Sequence, residues 1–361
     1  MKKRKLLTIV SALFVCGVIA AGCGKSSQDN GSAGTEESTE ASAEAAGSDE
    51  KTLTPVTIYG VTDPQEAAQI IIAKEKGFFE EEGLDVTNVL IESSSDIPAY
   101  IVSGEAPVSA ESEVACIEVA AQGVGLKTLM TTSNICNNQG FIIGPNTEIQ
   151  SAKDLEGKTL GIMSGAGFMR AIQNMCADMG VDIEKMEIVY LSPAEQVAAL
   201  ENGSIDMMAC WEPYMSQAID MGGTLLFTGI QSYFPEYTEE VDWMNFYSTF
   251  EVTEEYYEEN YDTCVSLVKA IVKATDYINE NLDECAGIIA ANLNNDKDAI
   301  YAIMSSNVYV TMFDQTFADA LNDMAQYMYE AGNISEVPDF DTYCDPTILK
   351  EVAPEKVTYS K

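Results

Sequence analysis

Histidine is absent from this chain, and arginine occurs only at positions 4 and 170. Without an imidazole, no Ser/His or Cys/His pair can activate a nucleophile, and the commonest zinc ligand is missing. Most hydrolytic and metal chemistries thereby lose their usual parts, and neither a metal nor another cofactor is expected. Positive charge is scarce throughout: 19 basic residues stand against 58 acidic ones, a formal charge of -39. So acidic a surface repels phosphates, which excludes nucleic acid as a partner. No CxxC pair offers a redox or zinc site. The glycine that opens a phosphate-binding P-loop is missing as well. Gly157-Lys158-Thr159 and Gly24-Lys25-Ser26 look like the end of that motif, but position 152 is Ala and position 19 is Ile. Beyond residue 21, no apolar run is long enough to cross a bilayer as a helix.

What is present begins with Lys2, Lys3, Arg4 and Lys5, followed by an apolar run from Leu6 to Ala21. This is the pattern of a secretory signal, here residues 1–22. It closes on Ile19-Ala20-Ala21-Gly22-Cys23, small residues immediately before a cysteine, as lipoprotein signal peptidase requires. Cys23 is therefore expected to be the lipidated first residue of the mature chain, anchoring it to the extracytoplasmic face of the cell membrane. Removing the four leader cations leaves 15 basic against 58 acidic residues, a charge of -43. Residues 23–53 are Ser, Gly, Ala, Thr and Glu with almost no large apolar side chain, a disordered tether that cannot offset its own ordering entropy. The remaining stretch, about 310 residues, exceeds what one core usually serves, so two lobes are expected.

Cys116, Cys136, Cys176, Cys210, Cys264, Cys285 and Cys344 remain after the leader and Cys23 are set aside. Their odd number and irregular spacing argue for buried free thiols, with one bridge at most.

Along the mature chain, strand and helix patterns alternate. Strands are expected over 56–60, 85–91, 106–110 and 126–132, with helices over 64–76, 96–102 and 111–122 between them. A second block repeats the rhythm, with strands over 159–163, 188–191, 205–210 and 224–227 and helices over 168–179, 193–201 and 213–220. From 254 to about 332 the periodicity is almost wholly helical. Extended segments over 140–144 and 245–250 suggest that the second block is inserted into the first, with those two segments as crossover strands. The expected organisation is α/β: a first lobe of 54–139 plus 245–361, a second lobe of 140–244, and the helical C-terminal segment packed on the first. In such sheets, ligands bind in the crevice at the carboxyl ends of the parallel strands.

Five pieces carry a family resemblance. They are Ala73-Lys74-Glu75-Lys76-Gly77-Phe78-Phe79-Glu80-Glu81-Glu82-Gly83-Leu84-Asp85-Val86, Ile101-Val102-Ser103-Gly104-Glu105-Ala106, Asp154-Leu155-Glu156-Gly157-Lys158-Thr159-Leu160-Gly161-Ile162, Ala199-Leu200-Glu201-Asn202-Gly203-Ser204-Ile205-Asp206 and Trp211-Glu212-Pro213-Tyr214. In this order they resemble the nitrate/sulfonate/taurine-type substrate-binding proteins of ABC importers, whose relatives also bind the pyrimidine precursor of thiamine. The resemblance covers residues 54–230 well and the helical tail poorly. It implies a two-lobed fold like that of type II periplasmic binding proteins, a small solute held by lobe closure, and an ABC permease as membrane partner.

Candidate ligand residues are the polar turns at strand ends. Ser164, Gly165, Ala166 and Gly167 follow a strand and open a helix, so their N–H groups and the helix dipole suit an accepting or anionic group. Arg170, early in that helix, opposes the dipole and so points to an anionic partner, either a ligand sulfonate or carboxylate or an acidic side chain. Trp211 and Glu212 place an aromatic plane beside a carboxylate; a core role for Trp211 and a capping role for Glu212 are the plainer alternatives. In the first lobe, Thr62, Asp63 and Gln65, Ser95 and Asp96, and Glu111 and Ser112 occupy corresponding turns, each also readable as a helix cap. Asn138 adds an amide that donates and accepts. Two ligand classes stay open, an anion at the Ser164 turn and Arg170, or an aminated heterocycle on Trp211 with Glu212 or Asp63. An enzyme using Glu111 and Glu212 as acid and base is the alternative of another class.

Overall fold

Short runs of β-branched and aromatic residues, punctuated by glycine turns, form eleven strands in the computed structural model, which describes residues 52–92 and 94–360. The expected signal, Cys23 and nearly all of the tether lie outside the described residues. The strands are β1 (Thr54–Val61), β2 (Leu84–Ile91), β3 (Val108–Ser112), β4 (Leu126–Asn134), β5 (Gln139–Ile143), β6 (Thr159–Ile162), β7 (Glu187–Tyr190), β8 (Met207–Trp211), β9 (Thr224–Thr228), β10 (Tyr247–Thr253) and β11 (Val308–Tyr309). Between the early strands lie α1 (Ala68–Glu75), α2 (Phe78–Glu81), α3 (Ile97–Ser103), α4 (Glu113–Ala121), α5 (Met169–Met179), α6 (Pro193–Glu201) and α7 (Tyr214–Asp220). The tail supplies α8 (Glu254–Glu259), α9 (Tyr261–Glu280), α10 (Leu282–Leu293), α11 (Lys297–Ser306), α12 (Gln315–Glu330), α13 (Phe340–Tyr343) and α14 (Thr347–Val352).

Two sheets result, ordered β11-β4-β10-β3-β1-β2 and β7-β6-β8-β5-β9. Each contains a parallel trio, β2-β1-β3 in one and β7-β6-β8 in the other. Beside each trio lies one strand antiparallel to both its neighbours, β10 between β3 and β4, and β5 between β8 and β9. These are the strands that enter their sheet just after the chain leaves the other one. The crossover segments expected over 140–144 and 245–250 are therefore the paired strands β5 and β10.

Helix α1 lies so close to the first sheet that a Cβ on Gly60 would come within 2.7 Å of Ile70 Cδ1. One continuous apolar core runs through Ile58, Phe79, Phe250, Ile271 and Leu321. A smaller one, with Ile142, Leu200, Met208 and Met215, underlies part of the second sheet. Helix α9 buries Cys264, Leu267, Val268, Ile271, Ala274 and Ile278 at amphipathic spacing, as its sequence predicts. All seven cysteines after Cys23 are buried, and none of them forms a disulfide. No helix among the described residues is long and apolar enough to cross a membrane.

Two local expectations change. The helix expected from position 111 starts at Glu113, because β3 continues through Glu111 and Ser112 to pair with Thr249 and Ser248 of β10. Glu111 is thus an interior strand residue rather than a loop residue. The helical tail is interrupted by β11, a two-residue strand on the edge of the first sheet, where Val308 and Tyr309 pair with Asn134 and Ser133. So short a strand carries no periodicity of its own.

Candidate functional site

Three turns of the first sheet meet at the carboxyl ends of β1, β2 and β3. The Asp63 carboxylate accepts the N–H groups of Gln65 and Glu66, both at 2.8 Å, and so shapes the entry to α1. Burial pushes its pKa up to about 6, against the pull of those two bonds. Thr62 is bonded to the Ile91 carbonyl at 2.6 Å. The Ser94 hydroxyl donates to Glu66 Oε2 at 2.7 Å and accepts the Ser112 N–H at 3.3 Å, joining the second turn to the first and third. Ser95 and Asp96 lie on the exposed rim.

A buried seam joins the two sheets. Gln65 Nε2 donates to the Glu212 carbonyl at 3.3 Å, and the Glu212 N–H donates to the Asn138 carbonyl at 3.0 Å. Asn138 Nδ2 donates to Asn307 Oδ1 at 3.2 Å, and Ser306 Oγ donates to Asn138 Oδ1 at 2.6 Å. The Gln65 carbonyl accepts Ser133 Oγ at 2.6 Å and Asn307 Nδ2 at 3.3 Å. Gln65, Asn138 and Glu212 are therefore brought together, and much of their hydrogen bonding is spent on one another. Ser133, Ser306 and Asn307 were missed by sequence reasoning, since the last two come from the helical tail more than 160 positions from Asn138.

Trp211 closes β8, half-buried against the smaller core. The Glu212 carboxylate turns back to accept Ser216 N–H at 3.0 Å and Ser216 Oγ at 2.8 Å, capping α7. Burial raises its pKa, and the Ser216 bonds partly offset that. With Glu111 inside a strand and Glu212 committed to a cap, the pair considered as acid and base is not poised for proton transfer.

Ser164 to Gly167 end β6, the neighbour of β8, so this turn and Trp211 share one edge of the second sheet. Across from it lie α4, α12 and the approach to β10. A Cβ on Gly167 would sit 3.1 Å from Phe246 Cε2, 3.2 Å from Val114 Cγ2 and 3.3 Å from Met324 Cε. Arg170 reaches α12, where its Nε and Nη2 donate to the two Asp323 oxygens at 2.8 and 2.6 Å. That partner explains a cation in the first turn of a helix. The pair is part-exposed, so Arg170→Ala is expected to change the unfolding free energy by less than about 1 kcal/mol in urea titration. A loss of several times that size would give the pair a structural weight its exposure does not support.

Behind the first-lobe turns is a set of buried acids. Glu111 of β3 and Glu251 of β10 lie diagonally on one face of the sheet, each fully buried. Ser109 and Thr249 lie beside them, yet no well-formed hydrogen bond reaches any of their four carboxyl oxygens. Burial holds both pKa values well above the carboxylate range, and also those of Glu66 and Glu113. Glu113 gives one oxygen to the Tyr247 N–H at 2.9 Å.

Two open hollows are also present, the first beside the seam at Ser306. One of about 640 Å³ is lined by Asn137, Thr228, Gln231, Tyr233 and Ser306, the other of about 610 Å³ by Asn174, Asp178 and Trp243. Neither is lined by a residue singled out from the sequence. Gln65 meets Glu212, and Gly167 lies against Val114 and Phe246, in direct contact.

The family model described as NMT1/THI5 like matches residues 65–285. The chain belongs to this family. A relative from Bacillus subtilis, named as an aliphatic sulfonates-binding protein, is 25% identical over 98% of both chains. Among solved structures, the periplasmic aliphatic sulphonate binding protein SsuA of Escherichia coli superposes with a TM-score of 0.68 at 16% identity, covering 80% of this chain and 91% of that one. The desulfurization enzyme DSZB superposes with a TM-score of 0.61 at 16% identity, covering 84% and 99%. The fold is thus the two-lobed α/β architecture of type II periplasmic binding proteins. It carries both a binding protein and an enzyme, so chemistry has to be argued from the residues of this NMT1/THI5-like chain.

Proposed function

We propose that the protein is the extracytoplasmic solute-binding component of an ABC importer, moored to the membrane by lipid on Cys23 and delivering its solute to a membrane permease. Residues 54–139 with 245–361 form one lobe and 140–244 the other, and closure over the crevice captures the solute. The observation that carries this reading is the meeting of strand-end turns from two sheets, Gln65 on Glu212 and Gly167 against Val114 and Phe246. The near full-length likeness to a protein named for sulfonate binding supports it. Capture requires no bond to be broken, which agrees with the commitment of Glu111 and Glu212 to a sheet interior and a helix cap.

Relatives named for sulfonates favour a sulfonate, nitrate or taurine-like solute. The engagement of Arg170 by Asp323 favours the second reading, an aminated heterocycle. A thermal-shift screen over sulfonates, nitrate, aminopyrimidines and flavins, followed by small-angle scattering, tests the common core of both. A stabilising compound is expected to reduce the radius of gyration. Stabilisation with no compaction by any compound would remove lobe closure from the account.

A further inference from the structure

The charge inventory of the crevice is one-sided. Among the described residues, Arg170 is engaged by Asp323, and eight lysines form ion pairs with acids of the helices and outer turns. Lys74 and Lys350 lie in the last turns of α1 and α14, and Lys158 precedes β6 at its amino end. Apart from Arg170, whose charge Asp323 engages, no basic residue among the described ones therefore follows the carboxyl end of a parallel strand. Asp63 and Glu66 do.

Their partners orient them without neutralising them. Two backbone N–H groups hold Asp63, and the Ser94 hydroxyl holds Glu66. Ser94 in turn accepts the N–H of Ser112, the residue after Glu111. Glu111 is fully buried, close enough to Glu66 to raise the cost of its charge, and Ser109 lies beside it without a well-formed hydrogen bond to either oxygen. A buried carboxyl of this kind calls for a compensating positive charge or a proton. A permanent anion such as a sulfonate can supply neither.

We propose that the solute of this crevice is a small organic cation, a protonated amine or ammonium, received by the carboxylates of Asp63 and Glu66 with Glu111 behind them. The proposal rests on the solute-binding reading above and names the charge of the solute. A net charge of -39 steers such a ligand towards the protein from a distance. The half-buried Trp211 supplies an aromatic surface at the facing edge, a usual companion of carboxylates in cation recognition.

Isothermal titration of the full processed chain with ethanolamine, putrescine, choline and 4-aminopyridine, set against ethanesulfonate and nitrate, tests this. At least one of the four cations is expected to bind, with affinity at least tenfold weaker in Glu66→Gln or, if that variant folds poorly, in Asp63→Asn. Ethanesulfonate or nitrate binding as tightly as any cation overturns the proposal and leaves the solute-binding reading intact. Cation affinity unchanged in both variants also overturns it. No binding by any of the six, with no compaction in the wider screen, overturns both.

Discussion

Replacing Gly167 by leucine is expected to hold the lobes apart and weaken solute binding roughly ten- to hundredfold while leaving the melting temperature of the unliganded protein nearly unchanged. The Gly167 backbone stands where even a Cβ meets Phe246, Val114 and Met324 at 3.1 to 3.3 Å. Those neighbours come from the return to the first sheet, from α4 and from α12, all on the far side of the crevice. Three further carbons have no room there unless the lobes separate. Forcing extra methylenes into a packed contact costs roughly 1–3 kcal/mol, and only the closed state bears that cost. The open state bears none, so the effect falls on affinity rather than on folding. Titration calorimetry measures the affinity, and small-angle scattering should show the variant failing to compact with a ligand that compacts the parent. Wild-type affinity in Gly167→Leu would mean that the turn does not close against the first lobe.

Acidification from pH 8 to about 5.5 is expected to stabilise this protein, the reverse of the behaviour of a chain held together by surface carboxylate pairs. Glu66, Glu111, Glu113 and Glu251 all have pKa values raised by burial. A raised folded-state pKa means that the folded state binds the proton more tightly than the unfolded state does. The stabilisation is complete below the unfolded pKa and is lost as pH rises through the folded value. Each group contributes a slope of about 1.4 kcal/mol per pH unit in that window. The groups facing this set add no positive charge: Cys116 from α4, Tyr343 from α13, Cys344 after it and Thr128 from β4. Below about pH 4 the trend reverses, because Asp154, Glu195 and Glu284 have lowered pKa values and lose their bonds when protonated. Glu111→Gln and Glu251→Gln mimic the protonated form and should flatten the slope between pH 5.5 and 8, raising the melting temperature at the alkaline end. Thermal melts across that range provide the check. A wild-type melting temperature that rises with pH over the interval would show that these carboxyls are ionised and compensated.

Much of the architecture was legible along the chain because it is written in local periodicity. Strand–helix alternation, glycine at the turns after 76, 82, 156 and 202, and apolar spacing in α9 all act over a few residues. The two extended segments that break the rhythm are strands β5 and β10. The turns at Asp63 and Ser164 and the strand ends at Ser112 and Trp211 were legible for the same reason: parallel strands put their carboxyl ends on one side. The helix start expected at Glu111 was two residues early, since whether a strand continues through a polar residue depends on the neighbour it pairs with, here Thr249.

The sequence by itself determined the α/β class, the scarcity of cations and the positions of most strand ends and turns. Only the tertiary structure decided which of those turns keep polar groups free and which spend them on each other. Arg170 finds Asp323 at a separation of 153 residues, and Asn307 reaches the Gln65 carbonyl across 242. No pattern of period two or 3.6 reaches that far. Such partners are set by how the two crossings of the chain bring distant segments together, and by the cost of leaving a buried polar group without a partner.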